Sequence, residues 1–347
     1  MRYLIPLLLG LQGGVTSPPP RQVRVVTSLT TYAAIAREIV GDRGHVSSIA
    51  NGDENPHYVQ PKPSFVPLLA GADLFITTGL DLELWVPALL DKASNSKVTE
   101  GAPGYVAAYA GIPLLDIPVT YSRSQGDIHV YGNPHIWTEP LNGVQIARNI
   151  LTGLKRVSPE NADYFTAREK DFEDRVYRAL YGEELVTILG GQALADLDRQ
   201  GKLFDFLNQR RYQGAALITR LGGWLKQGSI FRGREMACYH KEWDYFSREF
   251  GISCVGYVEP KPGIPPTPRH VRELIDQMRQ RQVRVLMSPG YFDHNQIRQV
   301  AARTGATAVI VPSNVGGAPG VNTYVDLMDT LVGSLARAFT EAATTGR

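Results

Sequence analysis

The sequence has little cysteine and lacks the short motifs of several large enzyme classes. Its 347 residues include only two cysteines, and no C-x-x-C pair occurs, which excludes the metal and redox motifs built on that spacing. No G-x-G-x-x-G, G-x-S-x-G or Walker-type segment is present, which argues against nucleotide binding and serine hydrolysis. The 36 basic and 34 acidic residues give a net charge of +2 without a basic run, so no nucleic-acid partner is expected.

The sequence also lacks a long apolar run. Its N-terminal run, Tyr3–Leu11, has nine residues, whereas a membrane-spanning helix needs about 20. One positive charge precedes the run, and small residues and three prolines follow it, an order typical of a secretory signal peptide. A buried first strand is the alternative, but Pro18–Pro20 disfavour it. We assign residues 1–20 to a signal peptide and proline-rich leader. We expect a soluble, exported (periplasmic) protein without a lipid anchor, since no cysteine lies near the end of the run.

What is present is the composition of a globular α/β protein. Hydrophobic residues make up 43% of the chain and charged residues 20%, which supplies a sizeable core and excludes wholesale disorder. Short apolar runs alternate with helical patterns in two parts of the chain, 21–157 and 234–347, and this order predicts a parallel sheet in each. The predicted strands are 23–27, 46–49, 74–77, 236–239, 254–257, 285–287 and 308–311.

A segment of different character, 158–233, separates these two parts. A typical helix start lies at 158–160, with a serine N-cap, a proline and an acid, and the helical pattern continues to Tyr181. The remainder, 182–233, has further helical pattern and no assigned function. The predicted fold is therefore α/β, with two Rossmann-like lobes of parallel sheet and helices joined by a long rigid helix. Such an arrangement places a ligand in the cleft between the lobes.

The two cysteines lie in separate strand-like segments of the C-terminal part. Cys238 and Cys254 are compatible with a disulfide if these strands are neighbours in the sheet, and exported proteins commonly pair their thiols. Two thiols are also what a reduced protein can contain. The sequence therefore leaves the pairing open.

Histidines are the residues that indicate a binding site. The seven are His45, His57, His129, His135, His240, His270 and His294. His57 and His135 each follow an Asn-Pro pair, and the restrained backbone loses little entropy when a ligand binds. His240 ends an apolar strand, at the sheet edge where open α/β sheets bind ligands. Three neutral imidazoles from two lobes form a good Zn²⁺ site, and the alternative is two proline turns that happen to contain a polar residue.

Six segments resemble those of a known family. They are 55–64 (NPHYVQPKPS), 77–85 (TTGLDLELW), 133–142 (NPHIWTEPLN), 238–252 (CYHKEWDYFSREFGI), 257–271 (YVEPKPGIPPTPRHV) and 316–328 (GGAPGVNTYVDLM). In this order the chain resembles the metal-binding substrate-binding proteins of ABC transporters, which capture zinc or manganese outside the cytoplasmic membrane. The resemblance implies one metal ion between two lobes, held by His57, His135 and His240, and delivery to a membrane permease. Histidine at the third position resembles the zinc-type members more than the manganese-type ones.

Two positions differ from the pattern of that family. The resemblance places Ser313 where the family has an aspartate as fourth ligand, and Ser288 where it has another acid. A neutral hydroxyl is a poor zinc ligand compared with a carboxylate. We therefore expect Ser313 to be a weak or water-replaced fourth ligand, unless another acid reaches the metal. The loop that is rich in histidine in many zinc members contains only His129, which is either a metal relay or a solvated side chain.

Other conspicuous residues receive structural interpretations. We expect three further histidines to be structural or solvated: His45, His270 and His294. We expect three tryptophans to wall the cleft: Trp85, Trp137 and Trp243.

These observations favour a monomer that binds Zn²⁺ rather than Mn²⁺ and delivers it to a permease. Three alternatives stay open: another divalent-metal binder of the same family, a zinc enzyme with three histidine ligands, and a degenerate member that no longer binds metal. An enzyme needs a general base near the metal-bound water. No motif places one, so catalysis is not expected.

Overall fold

The computed structural model describes residues 21–119, 129–261 and 263–345. The predicted signal peptide, residues 1–20, and most of the loop before His129 lie outside these ranges. Within the described ranges, no helix combines the length and the apolar character needed to cross a bilayer.

The N-terminal lobe is built on a four-stranded parallel sheet with the order β2-β1-β3-β4. Its strands are β1 (Val23–Thr27), β2 (Gly44–Ser48), β3 (Leu74–Thr77) and β4 (Tyr105–Ala107). Its first helices are α1 (Thr30–Val40), α2 (Phe65–Ala70) and α3 (Val86–Ala93). Every residue of β3 is buried, as expected for an inner strand of a parallel sheet covered on both faces.

Two helices lead from this lobe towards the second one. They are α4 (Pro140–Val157) and α5 (Ala162–Tyr181). The 20 residues of α5 span about 30 Å, and α5 packs against α1 and α4. It is the long linking helix that the sequence predicts.

A helical segment does begin after Ser158, as predicted, but its first turn is a 3₁₀ turn rather than the start of the α-helix. Residues 159–161 form a 3₁₀ turn, and the α-helix begins only at Ala162. The Ser158 hydroxyl donates to the Glu160 carboxylate (2.6 Å) and accepts from Asn161 Nδ2 (2.9 Å). Because neighbouring side chains occupy this hydroxyl, it does not act as the N-cap of α5.

A helical insertion follows the linking helix. Its elements are α6 (Glu183–Leu189), α7 (Gly191–Arg199), α8 (Leu203–Gln209), the hairpin β5 (Arg211–Tyr212) and β6 (Ala215–Ala216), and α9 (Gly223–Gln227). Gly182 has φ +90°, and a Cβ there would lie 2.5 Å from the Gly222 Cα, so the start of the insertion packs closely against the residue that precedes α9. The segments 21–157, 158–233 and 234–347 stay our proposal for the domain organisation.

The C-terminal lobe repeats the construction of the first. Its parallel sheet has the order β10-β9-β7-β8. The strands are β7 (Glu235–Cys238), β8 (Ser253–Tyr257), β9 (Val285–Pro289) and β10 (Thr307–Val311). The helices are α10 (Asp244–Phe250), α11 (Pro268–Gln280), α12 (His294–Thr304) and α13 (Tyr324–Thr345). Residues that directly follow β7 and β8 therefore lie side by side at the carboxyl edge of this sheet.

A disulfide joins β7 to β8. Cys238 and Cys254 are bonded, with their Cα atoms 5.8 Å apart, which settles the pairing that the sequence leaves open. The bond closes a segment with a sequence separation of 16 residues that includes α10 and His240.

Removal of this bond tests its contribution to stability. We expect the Cys238→Ala/Cys254→Ala variant to unfold with a free energy lower by about 3 kcal/mol, because the unfolded chain regains the entropy of a loop of this length. Denaturant titration of the oxidised wild type and the double variant measures the difference. Equal free energies of unfolding would show that the bond does not stabilise the lobe.

Candidate metal centre

Three histidines from distant parts of the chain meet in the cleft between the lobes. His57 lies in a 3₁₀ turn after β2, His135 lies just before α4, and His240 follows β7. Their ring centroids are 5.1–5.3 Å apart, and one nitrogen of each ring lies within 4.8 Å of the others. The structure thus brings together the three histidines that the sequence analysis selects, two from the first lobe and one from the second.

The two Asn-Pro-His segments hold their rings in the same way. The Asn55 side-chain oxygen accepts hydrogen bonds from the His57 backbone N–H (3.1 Å) and from Nδ1 (2.8 Å). The Asn133 oxygen does the same for His135, at 3.1 and 2.9 Å. Each asparagine therefore fixes the ring orientation and places the proton on Nδ1, which leaves the Nε2 lone pair for a ligand.

The third ring is held by a carboxylate instead. His240 Nδ1 hydrogen-bonds to the Glu259 side chain, and both side chains are buried. Glu259 follows β8, so this contact is a consequence of the β7–β8 pairing. The second Glu259 oxygen accepts from the Gly263 backbone N–H at 2.9 Å, which fixes the carboxylate itself.

The nitrogens that face the centre of the cluster have the chemistry of metal donors. The Nε2 atoms of His135 and His240 are buried and have no hydrogen-bond partner among the described residues. A buried nitrogen in this state costs free energy unless a ligand satisfies it. Burial and the neighbouring imidazoles lower the pKa of His57 and His135 well below the usual value, so both rings are neutral at pH 7.

A fourth histidine lies against the cluster. His129 Nε2 is 3.1 Å from His57 Nε2, and its ring centroid is 5.1 Å from that of His57 and 5.9 Å from that of His135. The sequence offers two interpretations of His129, a relay or a solvated side chain. Its position against two of the three potential ligands, His57 and His135, is not that of a freely solvated group.

Ser313 is buried, but its hydroxyl is engaged by another side chain. It donates to the carboxylate of Glu242, which is fully buried and also accepts from the Tyr291 hydroxyl at 2.9 Å. Burial raises the pKa of Glu242. The assignment of Ser313 as a weak fourth ligand is therefore still only a prediction, and Glu242 is an acid beside the site that the sequence analysis missed.

The tryptophans and the other histidines largely support the surrounding structure. Trp85 Nε1 donates to the Pro56 carbonyl at 2.9 Å, and Trp137 Nε1 donates to the Ser313 carbonyl at 2.8 Å. Both indoles thus hold loops of the site, while Trp243 is fully buried. His270 hydrogen-bonds through Nε2 to the Tyr257 carbonyl, and His294 does so to the Gly290 carbonyl. His45, on β2, is exposed.

A cleft of about 400 Å³ opens beside two of the three rings, those of His135 and His240. Its lining residues include Asp116, His129, Asn133, Lys241, Tyr257 and Glu259. The space exceeds what one water molecule needs. The cleft therefore has room for an ion with part of its hydration shell beside His135 and His240.

Comparison with known proteins identifies the family to which the whole chain is similar. The family model described as "Zinc-uptake complex component A periplasmic" (ZnuA) matches residues 25–179 and 192–338. The iron-binding protein YfeA of Yersinia pestis is 25% identical over 330 residues, which are 93% of this chain and 88% of YfeA. The manganese ABC transporter substrate-binding lipoprotein PsaA of Streptococcus pneumoniae is 24% identical over 309 residues, 87% of this chain and 84% of PsaA.

Solved structures show the same fold. A crystal structure of ZnuA superposes with a TM-score of 0.66 at 18% identity and covers 92% of this chain and 99% of ZnuA. A Mn-bound periplasmic metal-binding protein from Candidatus Liberibacter asiaticus gives a TM-score of 0.64 at 17% identity, covering 92% of this chain and 100% of that one. The family match spans most of the sequence, and the matched family and relatives are named as components of metal uptake or of ABC transporters. The chain belongs to the ZnuA family of metal-binding substrate-binding proteins of ABC transporters.

Proposed function

We propose that this protein captures Zn²⁺ outside the cytoplasmic membrane and delivers it to the permease of an ABC transporter. The observation that supports this most is the convergence of three histidines, His57, His135 and His240, each with its Nδ1 bonded to a side-chain oxygen. That arrangement leaves three Nε2 donors for one ion. A single chain supplies all of them, so a monomer suffices.

The choice of Zn²⁺ follows from the donor set, since relatives are named for iron and manganese as well as zinc. Imidazole nitrogens suit Zn²⁺, whereas Mn²⁺ favours carboxylate and water oxygens, and the general affinity order also places Mn²⁺ lowest. A site dominated by imidazoles should therefore prefer zinc.

Competition titration tests this preference. On metal-stripped protein at constant pH, we expect Zn²⁺ to displace Mn²⁺ at one equivalent and Mn²⁺ in large excess to leave bound Zn²⁺ in place. A chromophoric chelator of known affinity gives both constants on one scale. Tighter binding of Mn²⁺ than of Zn²⁺ would contradict the proposal.

For the fourth position, we propose His129. Two nitrogens bound to one tetrahedral Zn²⁺ at 2.0–2.1 Å lie about 3.3–3.4 Å apart. The His57 and His129 Nε2 atoms are 3.1 Å apart, close to that value. The Ser313 hydroxyl, in contrast, is already used as a donor to Glu242.

Two single variants separate these candidates. We expect His129→Ala to weaken Zn²⁺ binding by about tenfold or more, because a water then replaces a nitrogen donor, whereas Ser313→Ala has a much smaller effect. Isothermal titration with a competing chelator measures both. If Ser313→Ala weakened Zn²⁺ binding more than His129→Ala, Ser313 rather than His129 would be the fourth ligand.

A further inference from the structure

Two carboxyl groups from opposite lobes meet at one asparagine beside the candidate metal centre. Asn133 Nδ2 lies 3.3 Å from Asp116 Oδ2 and 3.1 Å from Asp244 Oδ2. Asp116 belongs to the first lobe, and Asp244 begins α10 of the second. The two carboxyl groups thus converge on one amide nitrogen, and each is also a hydrogen-bond partner of the other.

A lysine and two tyrosines lie beside this pair of carboxyl groups. The Lys241 ammonium is 3.9 Å from Asp116 Oδ1, and the Tyr257 hydroxyl donates to Asp244 Oδ1 at 3.2 Å. The Tyr245 hydroxyl lies nearby and donates to the Asn133 carbonyl at 2.8 Å. In the described part of the chain, the two carboxyl groups thus share the Lys241 ammonium as their neighbouring cation.

A shared proton resolves this repulsion, as in other pairs of adjacent carboxyl groups. Burial and the adjacent Asp116 raise the pKa of Asp244 to about 7. The hydrogen bond that Asp116 forms with Asp244 lowers the pKa of Asp116. The pair therefore holds one proton below about pH 7 and loses it above.

The asparagine connects this pair to a candidate metal ligand. The two protons of Asn133 Nδ2 are shared among three acceptors, the two aspartates and the Lys241 carbonyl (3.0 Å). The Asn133 side-chain oxygen accepts from the Nδ1 and the backbone N–H of His135. Any change in spacing between the two carboxyl groups acts on the amide that orients His135.

We propose that Asp116 and Asp244 share one proton across the cleft and so act as an interlobe clasp that positions His135 through Asn133. With the proton present, the clasp holds the two lobes at the separation that the three histidines need. Loss of the proton leaves two carboxylates in contact, and their repulsion loosens the clasp. This inference rests on the proposed metal-binding function.

The sign of the pH effect follows from linkage. The arrangement that binds metal retains the shared proton, so clasp-dependent affinity is highest below about pH 7 and falls as the pH rises through that value. This is opposite to the effect of imidazole protonation, which weakens binding at low pH. The two effects are therefore separable.

Asp116→Asn is the sharpest test, because an amide hydrogen-bonds to the Asp244 carboxylate without a shared proton. We expect the ratio of the variant's Zn²⁺ dissociation constant to that of the wild type to fall several-fold between pH 6.5 and 8.5. Asp244→Asn should behave alike, and Asp205→Asn, an exposed aspartate of the insertion, should keep a constant ratio. Parallel pH profiles for wild type and both clasp variants would overturn the proposal.

Infrared difference spectra of the metal-free protein test, independently of metal binding, whether Asp116 and Asp244 share a proton. We expect the carbonyl band of one protonated carboxyl group to disappear near pH 7 in the wild type and to be absent from Asp116→Asn. A spectrum without that titration in the wild type would refute the clasp. If Zn²⁺ did not bind while the band titrated as expected, the proposed function would fail and the shared proton would stand.

Discussion

Replacement of His135 by alanine is expected to weaken Zn²⁺ binding several hundred-fold. Structural zinc sites have apparent binding free energies of roughly 10–16 kcal/mol, so loss of one of four donors corresponds to about 2.5–4 kcal/mol. His135 is buried, and its Nε2 has no partner among the described side chains and backbone groups, so no nearby group is positioned to replace it. His57→Ala and His240→Ala should have effects of similar size.

The control for these variants is His45→Ala. His45 is exposed on β2 and lies outside the cluster, so its loss should leave the zinc dissociation constant unchanged. Competition with a chelator, together with circular dichroism to confirm folding, measures all four variants. A His135→Ala protein that bound Zn²⁺ as tightly as His45→Ala would remove His135 from the site.

The second large effect is expected from Glu259→Gln. Glu259 accepts the hydrogen bond from His240 Nδ1 inside the protein, and a carboxylate in this position orients the ring and makes the other nitrogen a stronger donor. The amide retains a hydrogen-bond acceptor but removes the charge. We expect Zn²⁺ affinity to fall by about 10- to 100-fold, the range typical for such partners.

A matched substitution separates this effect from a general loss of charge. Glu273→Gln removes a carboxylate on the surface of α11, where it pairs with Arg269, and should leave Zn²⁺ affinity unchanged. Both proteins are titrated with zinc at the same pH and ionic strength. Equal affinities for Glu259→Gln and the wild type would mean that the carboxylate only fills space beside His240.

Much of the fold is predictable because its strands are short apolar runs with clear ends. The predicted strands 23–27 and 74–77 have the observed bounds, and those of the second lobe agree within a few residues. The sequence does not predict β4, because its three residues, YVA, lie among glycines and prolines. That composition resembles a turn, and only pairing with β3 makes it a strand.

The histidines are predictable, whereas the groups that hold them mostly are not. The sequence analysis used the proline of each Asn-Pro-His segment and did not predict that the asparagine oxygen accepts a hydrogen bond from the histidine Nδ1. A signal for Glu259 does exist, since it follows β8 as His240 follows β7. Neighbouring parallel strands bring such residues together.

The contacts of His129 and Glu242 with the site could not be predicted from the sequence. His129 lies 72 residues from His57, and Glu242 lies 71 residues from Ser313. No local spacing relates the members of either pair. His57 and His129 belong to the first lobe and Glu242 and Ser313 to the second, so the tertiary fold of each lobe brings its pair into contact.

The most direct test of the central claim is zinc-edge anomalous diffraction from crystals of the Zn²⁺-loaded protein. We expect one strong peak between the lobes, about 2.0–2.1 Å from the Nε2 atoms of His57, His135 and His240. The peak should vanish in crystals of metal-stripped protein. A zinc peak elsewhere, or one in contact with histidines of only one lobe, would contradict the proposal that this protein captures zinc between its two lobes.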